Sequence, residues 1–220
     1  MAAPPLDRRV DKLSLRDFTD NIIKIKVGPD GKDFAVHEKL LRSGSEFFDI
    51  ALKQRWKEGQ EGTVHLPMDR ADLFARFAEW LYSGRVVCKD GLNFGLDVLG
   101  ELYVLGETLL APAFQNQIID AIVSTQRMHN KFAGIGEIGT IYNGTPVGSP
   151  ARKLMVEYYA RYAAGTWFLP QNAKDAAHPE FLFDLVVALA DKRPAAPYRM
   201  DDPLARGLPT PYYKSTSRQA

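Results

Sequence analysis

The sequence predicts an α+β fold, in which a helical cluster is flanked by a small three-stranded β-sheet and followed by a helical C-terminal extension. Near the N-terminus, short segments alternate apolar and charged residues, which is the period-2 pattern of strands with one buried face. From about residue 70 onward, apolar residues recur at helical spacing instead. We therefore divide the 220 residues into an arm at 1–16, an α+β domain at 17–125, a helical extension at 126–191 and a tail at 192–220.

The three strands are predicted close together. Apolar residues alternate with lysines over 23–27, and residues 28–31 (Gly-Pro-Asp-Gly) favour a turn because proline presets φ and glycine tolerates a positive φ. Residues 32–36 then return as the partner strand. A short strand at 63–66 completes the sheet.

Two short helices are expected at 38–42 and 45–54, and Ser43 or Ser45 is placed to cap the second of them. Asp69 is expected to cap the next helix. That helix carries one buried apolar stripe, formed by Leu73, Phe74, Phe77, Trp80 and Leu81.

The rest of the chain is predicted to be helical up to the tail. One apolar face runs through 98–109, and Pro112 suits a first helical turn, where its missing amide hydrogen is not needed. Residues 133–150 are rich in Gly and Thr and predict a loop with a short structured piece near 138–142.

Two further helices begin at Pro150, which follows the potential cap Ser149, and at Pro179. The second carries Phe181, Leu182, Leu185, Val186 and Leu189. From Pro194 onward the chain has five prolines and few large apolar residues, so we expect a disordered tail.

Composition excludes several classes of function. The net charge of +1 gives no overall attraction to nucleic acid or to an anionic membrane, so neither is expected as a partner. No apolar run approaches the length that spans a bilayer, and residues 1–16 lack the apolar core of a signal peptide. The single cysteine, Cys88, rules out an internal disulfide and a cysteine-based metal cluster. We therefore expect an intracellular protein of the cytoplasm or nucleus.

The sequence contains one formal cofactor motif, Gly134-Ile-Gly136-Glu-Ile-Gly139. Dinucleotide binding needs this motif between a strand and a helix, so that the helix N-terminus receives the pyrophosphate. Here a helical segment precedes it, so we interpret it as a glycine-rich connector. We expect no cofactor.

No catalytic or metal-binding residues are predicted. The four histidines (His37, His65, His129 and His178) are isolated in the sequence, without a second ligand at helical spacing. We expect His37 to hydrogen-bond backbone groups at a turn, and Cys88 to pack as a small apolar residue. The aromatic run Tyr158, Tyr159, Tyr162, Trp167 and Phe168 could form a stacking platform for nucleic acid, but its helical spacing favours a packing face. An enzyme is not expected.

Several of these residues together resemble the motifs of BTB/POZ domains over 17–125. They are an Asp before the first strand, Phe-x-x-His-x-x-Leu, Ser-x-x-Phe and Tyr-Ser-Gly, here Asp20, Phe34, His37, Leu40, Ser45, Phe48, Tyr82 and Gly84. Glu38 departs from the family, in which a basic residue often follows the His. The C-terminal part contains Ile141-Tyr142-Asn143, Gly148-Ser149-Pro150 and Pro179-Glu180-Phe181. Through these residues it is similar to the helical extension of filamentous-fungal BTB proteins that lack Kelch, MATH and zinc-finger domains.

This resemblance implies a protein–protein interaction module. Relatives dimerise through the N-terminal arm and the first helices, and the apolar residues of the arm here are Leu6, Val10, Leu13 and Leu15. Some relatives bind a cullin as substrate adaptors of a ubiquitin ligase, through a hydrophobic-x-acidic element that corresponds here to Leu99 and Glu101, beside Val98. The alternative for these two residues is that Leu99 is core and Glu101 is solvated. The alternative for the protein is an oligomerisation scaffold in transcription or signalling, without a ligase.

Overall fold

The computed structural model describes residues 20–53, 61–86, 95–168 and 177–192. This part of the chain contains three strands, eight helices and one 3₁₀ turn. In order they are β1 (Ile22–Val27), β2 (Lys32–His37), α1 (Glu38–Gly44), α2 (Glu46–Ala51), β3 (Thr63–Leu66), α3 (Ala71–Ser83), α4 (Leu96–Thr108), α5 (Pro112–His129), α6 (Ile135–Gly144), α7 (Pro150–Tyr162), the 3₁₀ turn (Gly165–Phe168) and α8 (Pro179–Lys192). The predicted α+β class with a small three-stranded sheet is confirmed.

Some predicted features lie outside the described residues. They are the arm with Leu6, Val10, Leu13 and Leu15, Cys88, and the tail beyond Lys192. The helix predicted at 45–54 is shorter than expected, because α2 ends at Ala51 and Leu52 is its C-cap residue.

The sheet has the strand order β2-β1-β3, in which β1 is antiparallel to β2 and parallel to β3. Ile25 lies opposite Phe34 on one side and Val64 on the other. The predicted turn between β1 and β2 depends on two glycines with positive φ, Gly28 at 80° and Gly31 at 61°. One face of the sheet is buried, through Ile23, Ile25, Val27, Val36, Val64 and Leu66.

Helix α4 lies at the centre of the helical part and contacts α3, α5 and α6. Its side chains Leu99, Leu102, Tyr103 and Leu105 are all buried. Because neighbours surround α4, it has no single apolar stripe but is apolar over most of its surface. It connects the sheet-containing part to the C-terminal helices.

The C-terminal helices form a second group around α7, which contacts α6 and α8. Phe181 and Leu185 of α8 are buried there. The buried residues form one continuous cluster that runs from β1 to α8. The predicted boundary between 17–125 and 126–191 falls inside α5.

The prediction of a loop over 133–150 is corrected by α6, which is helical for ten residues. Its apolar residues Ile135, Ile138, Ile141 and Tyr142 are all buried. Glycine lowers the helix propensity of this segment, but burial of these side chains outweighs that local cost.

The predicted cap of α3 is also corrected. The N-cap residue is Arg70, whose side chain makes no capping hydrogen bond, and not Asp69. The Asp69 amide instead donates to the Leu66 carbonyl, 3.3 Å away, in the turn that leaves β3. Arg70 binds the carboxylate of Asp72 in the first turn of the helix, where a negative charge is favourable.

The contact between α6 and α4 leads to a test of the packing. A Cβ on Gly144 would overlap both γ-methyl groups of Val104. Val104 is β-branched and cannot turn away easily. We expect Gly144→Ala to lower the free energy of unfolding by about 2 kcal/mol, measured by urea denaturation.

Gly136 of the same helix provides the matched control, because a Cβ there meets no atom within 4 Å. Gly136→Ala is expected to raise the free energy of unfolding by about 0.5 kcal/mol, since alanine favours a helix. Equal effects of the two substitutions would contradict the close approach of α6 to α4.

Candidate interaction surfaces

The residues that resemble the family motifs meet inside the fold. The backbone amide of His37, where β2 meets α1, donates to the hydroxyl oxygen of Tyr82 in α3 over 3.2 Å. The same oxygen lies 2.8 Å from Nδ1 of the His37 ring. A hydroxyl that accepts from the amide can donate its own proton to Nδ1, which leaves the ring proton of a neutral imidazole on Nε2. The His37 ring therefore has a side chain from α3 as its partner, where the sequence predicted backbone groups.

Ser45 caps α2 as predicted and also holds it against α4. Its hydroxyl accepts from the Phe48 amide over 3.2 Å and donates to the carbonyl of Leu109, 2.5 Å away. The neighbouring amide of Glu46 donates to the Leu110 carbonyl over 3.1 Å. Two hydrogen bonds therefore join the start of α2 to the end of α4.

The other motif residues also have structural positions. The Asp20 carboxylate accepts a hydrogen bond from the Lys39 amide. Phe34 packs edge-on against Phe74, with ring centroids 5.0 Å apart. Gly84 ends α3 with a φ of 66°, a conformation that glycine adopts without strain. Phe48 is fully buried and Leu40 is half-buried. These residues support the fold and do not form an exposed binding surface.

The predicted cullin contact on α4 is divided between the core and the surface. Leu99 has no exposed surface, so its side chain belongs to the core, as the alternative interpretation held. Val98 is half-buried, and the side chain of Glu101 is 33% exposed. Glu101 accepts a hydrogen bond from Arg70 over 2.5 Å, which ties α4 to the start of α3. Val98 and Glu101 are therefore the part of this element that a partner can reach.

The glycine motif opens α6. Gly134 is its N-cap residue, and the residues before it lead back to α5 and not to a strand. Glu137 turns back over this N-terminus, and its carboxylate lies 2.8 Å from the place where a Gly134 Cβ would be. A helix N-terminus that already holds a carboxylate from its own chain is a poor site for a pyrophosphate.

Arg152 on α7 is the most highly connected buried charge in the described residues, and sequence reasoning missed its role. Its guanidinium is 6% exposed, donates to Oγ1 and the carbonyl of Thr145, and donates to the carbonyl of Tyr142 over 2.7 Å. It also binds the carboxylate of Glu180 on α8 over 2.6 Å and lies 4.5 Å from the Tyr142 ring centroid. Arg152 thus connects α6, α7 and α8. No local pattern signals this, because its partners lie 7 to 28 positions away.

The hydroxyl groups of Tyr142 and Tyr159 also hold the C-terminal helices together. The Tyr142 hydroxyl donates to Asp184 of α8 over 2.9 Å. Burial, reinforced by that carboxylate, raises the pKa of Tyr142 above its usual range. The Tyr159 hydroxyl donates to the carbonyl of Ala133 over 3.0 Å, and burial raises the pKa of Tyr159 to about 12.

The aromatic run belongs to a packing cluster, as its spacing indicates. Tyr159 packs edge-on against Phe181, with centroids 5.2 Å apart, and contacts Trp167 and Phe168. Phe132 contacts the rings of Tyr158, Tyr162 and Trp167. A cavity of about 340 Å³ lies beside Phe132, Tyr159 and Trp167.

Within the described ranges, no group of three or more His, Cys, Asp or Glu side chains is placed to hold a metal ion. None of the helices described is long and apolar enough to cross a bilayer.

Two similarities link the chain to proteins whose names include BTB. It is 22% identical over 139 residues to Armadillo BTB Arabidopsis protein 1 of Arabidopsis thaliana, a match that covers 63% of this chain and 18% of that protein. The chain therefore spans less than a fifth of that relative. The solved structure of the BTB domain of zebrafish PATZ1 aligns with a TM-score of 0.36 and 18% identity, covering 46% of this chain and 75% of that one. No family model matches the chain.

The Arg152 contacts lead to a stability test. Lysine keeps the charge but cannot reproduce the guanidinium's bonds to two carbonyls, a hydroxyl and a carboxylate. We expect Arg152→Lys to lower the free energy of unfolding by about 3 kcal/mol in urea denaturation.

Arg161 on the same helix is the matched control, because it forms an exposed ion pair with Glu157. Arg161→Lys is expected to change stability by less than about 0.5 kcal/mol. If Arg152→Lys proved equally mild, Arg152 would not hold the three helices together.

Proposed function

We propose that this chain is a BTB/POZ-type module that acts by binding proteins and catalyses no reaction. The observation that carries the proposal is the 139-residue sequence match to a plant BTB protein. The meeting of the motif residues in the fold, His37 with Tyr82 and Ser45 with Leu109, supports it. The single cysteine suits a reducing compartment, so we place the protein in the cytoplasm or nucleus.

The C-terminal helices support a narrower proposal, that the protein is of the filamentous-fungal type. Of the residues that carry this resemblance, Tyr142 and Phe181 are buried, and Pro150 begins α7. The rings of Tyr142 and Phe181 pack edge-on, and both residues belong to the buried cluster that runs from β1 to α8, so the extension forms one core with the rest of the described chain.

We further propose that the module is a homodimer joined through its arm. Leu6, Val10, Leu13 and Leu15 are apolar residues in an otherwise polar segment, and packing across a twofold axis would remove them from water. The basis for this step is the family resemblance of the sequence.

Deleting residues 1–16 should therefore halve the mass in solution, measured by light scattering at matched concentration. As a control that retains the arm, replacing Arg8 and Arg9 by Gln should leave the mass unchanged, since neither belongs to the apolar set. A full-length chain that is already monomeric, or a deletion variant that remains dimeric, would contradict arm-mediated dimerisation.

A cullin is the second partner that we propose, which would make the protein a substrate adaptor of a ubiquitin ligase. Since Leu99 is buried, the contact would rest on Val98 and Glu101 at the exposed edge of α4. The carboxylate has one oxygen bound to Arg70 and one left to accept from a partner's donor.

Calorimetric titration with the N-terminal domain of the BTB-binding cullin tests this proposal. We expect submicromolar binding that weakens at least about tenfold when Val98→Ala and Glu101→Gln are combined, with little change in thermal stability. Val147→Ala is the control, because Val147 is apolar and exposed but lies far along the chain between α6 and α7.

The same titration separates the two functions. No detectable heat at two temperatures would favour the alternative, an oligomerisation scaffold in transcription or signalling without a ligase. Tight binding that both substitutions leave intact would place the cullin contact elsewhere on the molecule.

A further inference from the structure

Helix α8 is apolar on the face that points away from the rest of the molecule. Phe181 and Leu185 are buried against the neighbouring helices. Successive residues of an α-helix are about 100° apart around its axis. The arc of about 160° on the side of α8 opposite Phe181 and Leu185 contains only apolar residues. They are Pro179, Leu182, Phe183, Val186, Val187, Leu189 and Ala190.

This face is open to solvent in the part of the chain that the structure describes. Phe183 is 69% exposed and Val186 is 62% exposed, and Leu182, Val187 and Leu189 are between 38% and 48% exposed. A helix that is apolar on both faces is typical of one that is covered on both. We therefore expect an apolar segment or partner to cover this face of α8.

One border of the apolar face is acidic. The helical arrangement places Glu180, Asp191 and Asp184 side by side along it, at about 100° to 140° from Pro179. Glu180 and Asp184 also bind Arg152 and Tyr142 at their inner sides. Lys192, the basic residue of the helix, lies on the same side as the buried Phe181 and Leu185, where it pairs with Glu157 of α7. An occupant should thus combine apolar side chains with positive charge.

A second copy of α8 fits this border poorly. Two helices packed antiparallel about a twofold axis at Val186 would place Glu180 of one copy opposite Asp191 of the other, and the symmetry repeats this pair. Like charges placed opposite each other at the edge of an interface weaken it and favour other partners.

We propose that the C-terminal segment 193–220 of this chain covers the apolar face of α8. The segment begins at the residue after Lys192, the end of α8. It contains five basic and two acidic residues. Its large apolar side chains are Tyr198, Met200, Leu204, Leu208, Tyr212 and Tyr213. Apolar residues interspersed with basic ones match an apolar face with an acidic border.

The segment is also long enough. The 14 residues of α8 extend about 21 Å, and about seven residues of extended chain cover that distance. The 28 residues of the segment are therefore more than enough to cover the length of the helix. Because the segment is attached to α8, its effective concentration at the face is in the millimolar range, so modest contacts suffice.

Trypsin cleavage of the full chain tests the proposal. Arg199 and Arg206 are followed by Met200 and Gly207, so trypsin can cleave at both when the segment is released. Val186→Asp places a charge in the middle of the face and should speed cleavage at these two sites about tenfold. Leu204→Asp, which leaves the helices untouched, should have the same effect.

Val147→Asp is the matched control, since Val147 is 86% exposed and lies outside α8, and it should leave cleavage unchanged. Equal cleavage of the unaltered chain and both variants would overturn the proposal. A loss of half the mass in Val186→Asp would also overturn it, because a second copy would then cover the face.

Discussion

The packing of α4 is the constraint on which the rest of the structure depends. This helix is buried between the sheet-containing part and the C-terminal helices, with Leu99, Leu102, Tyr103 and Leu105 all in the core. Its end receives the start of α2 through Ser45 and Leu109, and its middle receives the end of α6, where Gly144 meets Val104. Because α4 buries apolar surface against both parts of the chain, each part stabilises the other.

This arrangement shapes what a partner can reach. The motif residues and Leu99 are used to hold the fold, so they are not free to bind. The exposed edge of α4, with Val98 and Glu101, stays open to a partner, whereas the apolar face of α8 is the surface that we propose the C-terminal segment covers. Arg152 fixes α8 to α6 and α7, so the α8 face is held in place relative to the core.

The sequence predicted the features that depend on neighbouring residues. The strands, the turn with Gly28 and Gly31, and the Ser45 cap all follow from local chemistry. The sequence did not predict the features that depend on contacts between residues distant in the chain. The propensity of glycine argued against α6, but burial of its isoleucines against α4 outweighs that preference. The sequence did not predict the role of Arg152, because Thr145 and Glu180 are brought to it only by the fold. Likewise, Leu99 matched a binding pattern, yet its burial depends on the helices around it.

Native-state hydrogen exchange of the full chain tests most directly whether α4 unites the two halves. If it does, the most protected amides of α4, of α5 and of α7 should exchange with one common free energy, equal to that of global unfolding. The same common value should fall together for all three helices in Gly144→Ala, although the added Cβ would meet Val104 of α4. Amides of α7 that exchange at a clearly lower free energy than those of α4, or that are unaffected by Gly144→Ala, would show that the C-terminal helices are a separate unit and would contradict this account.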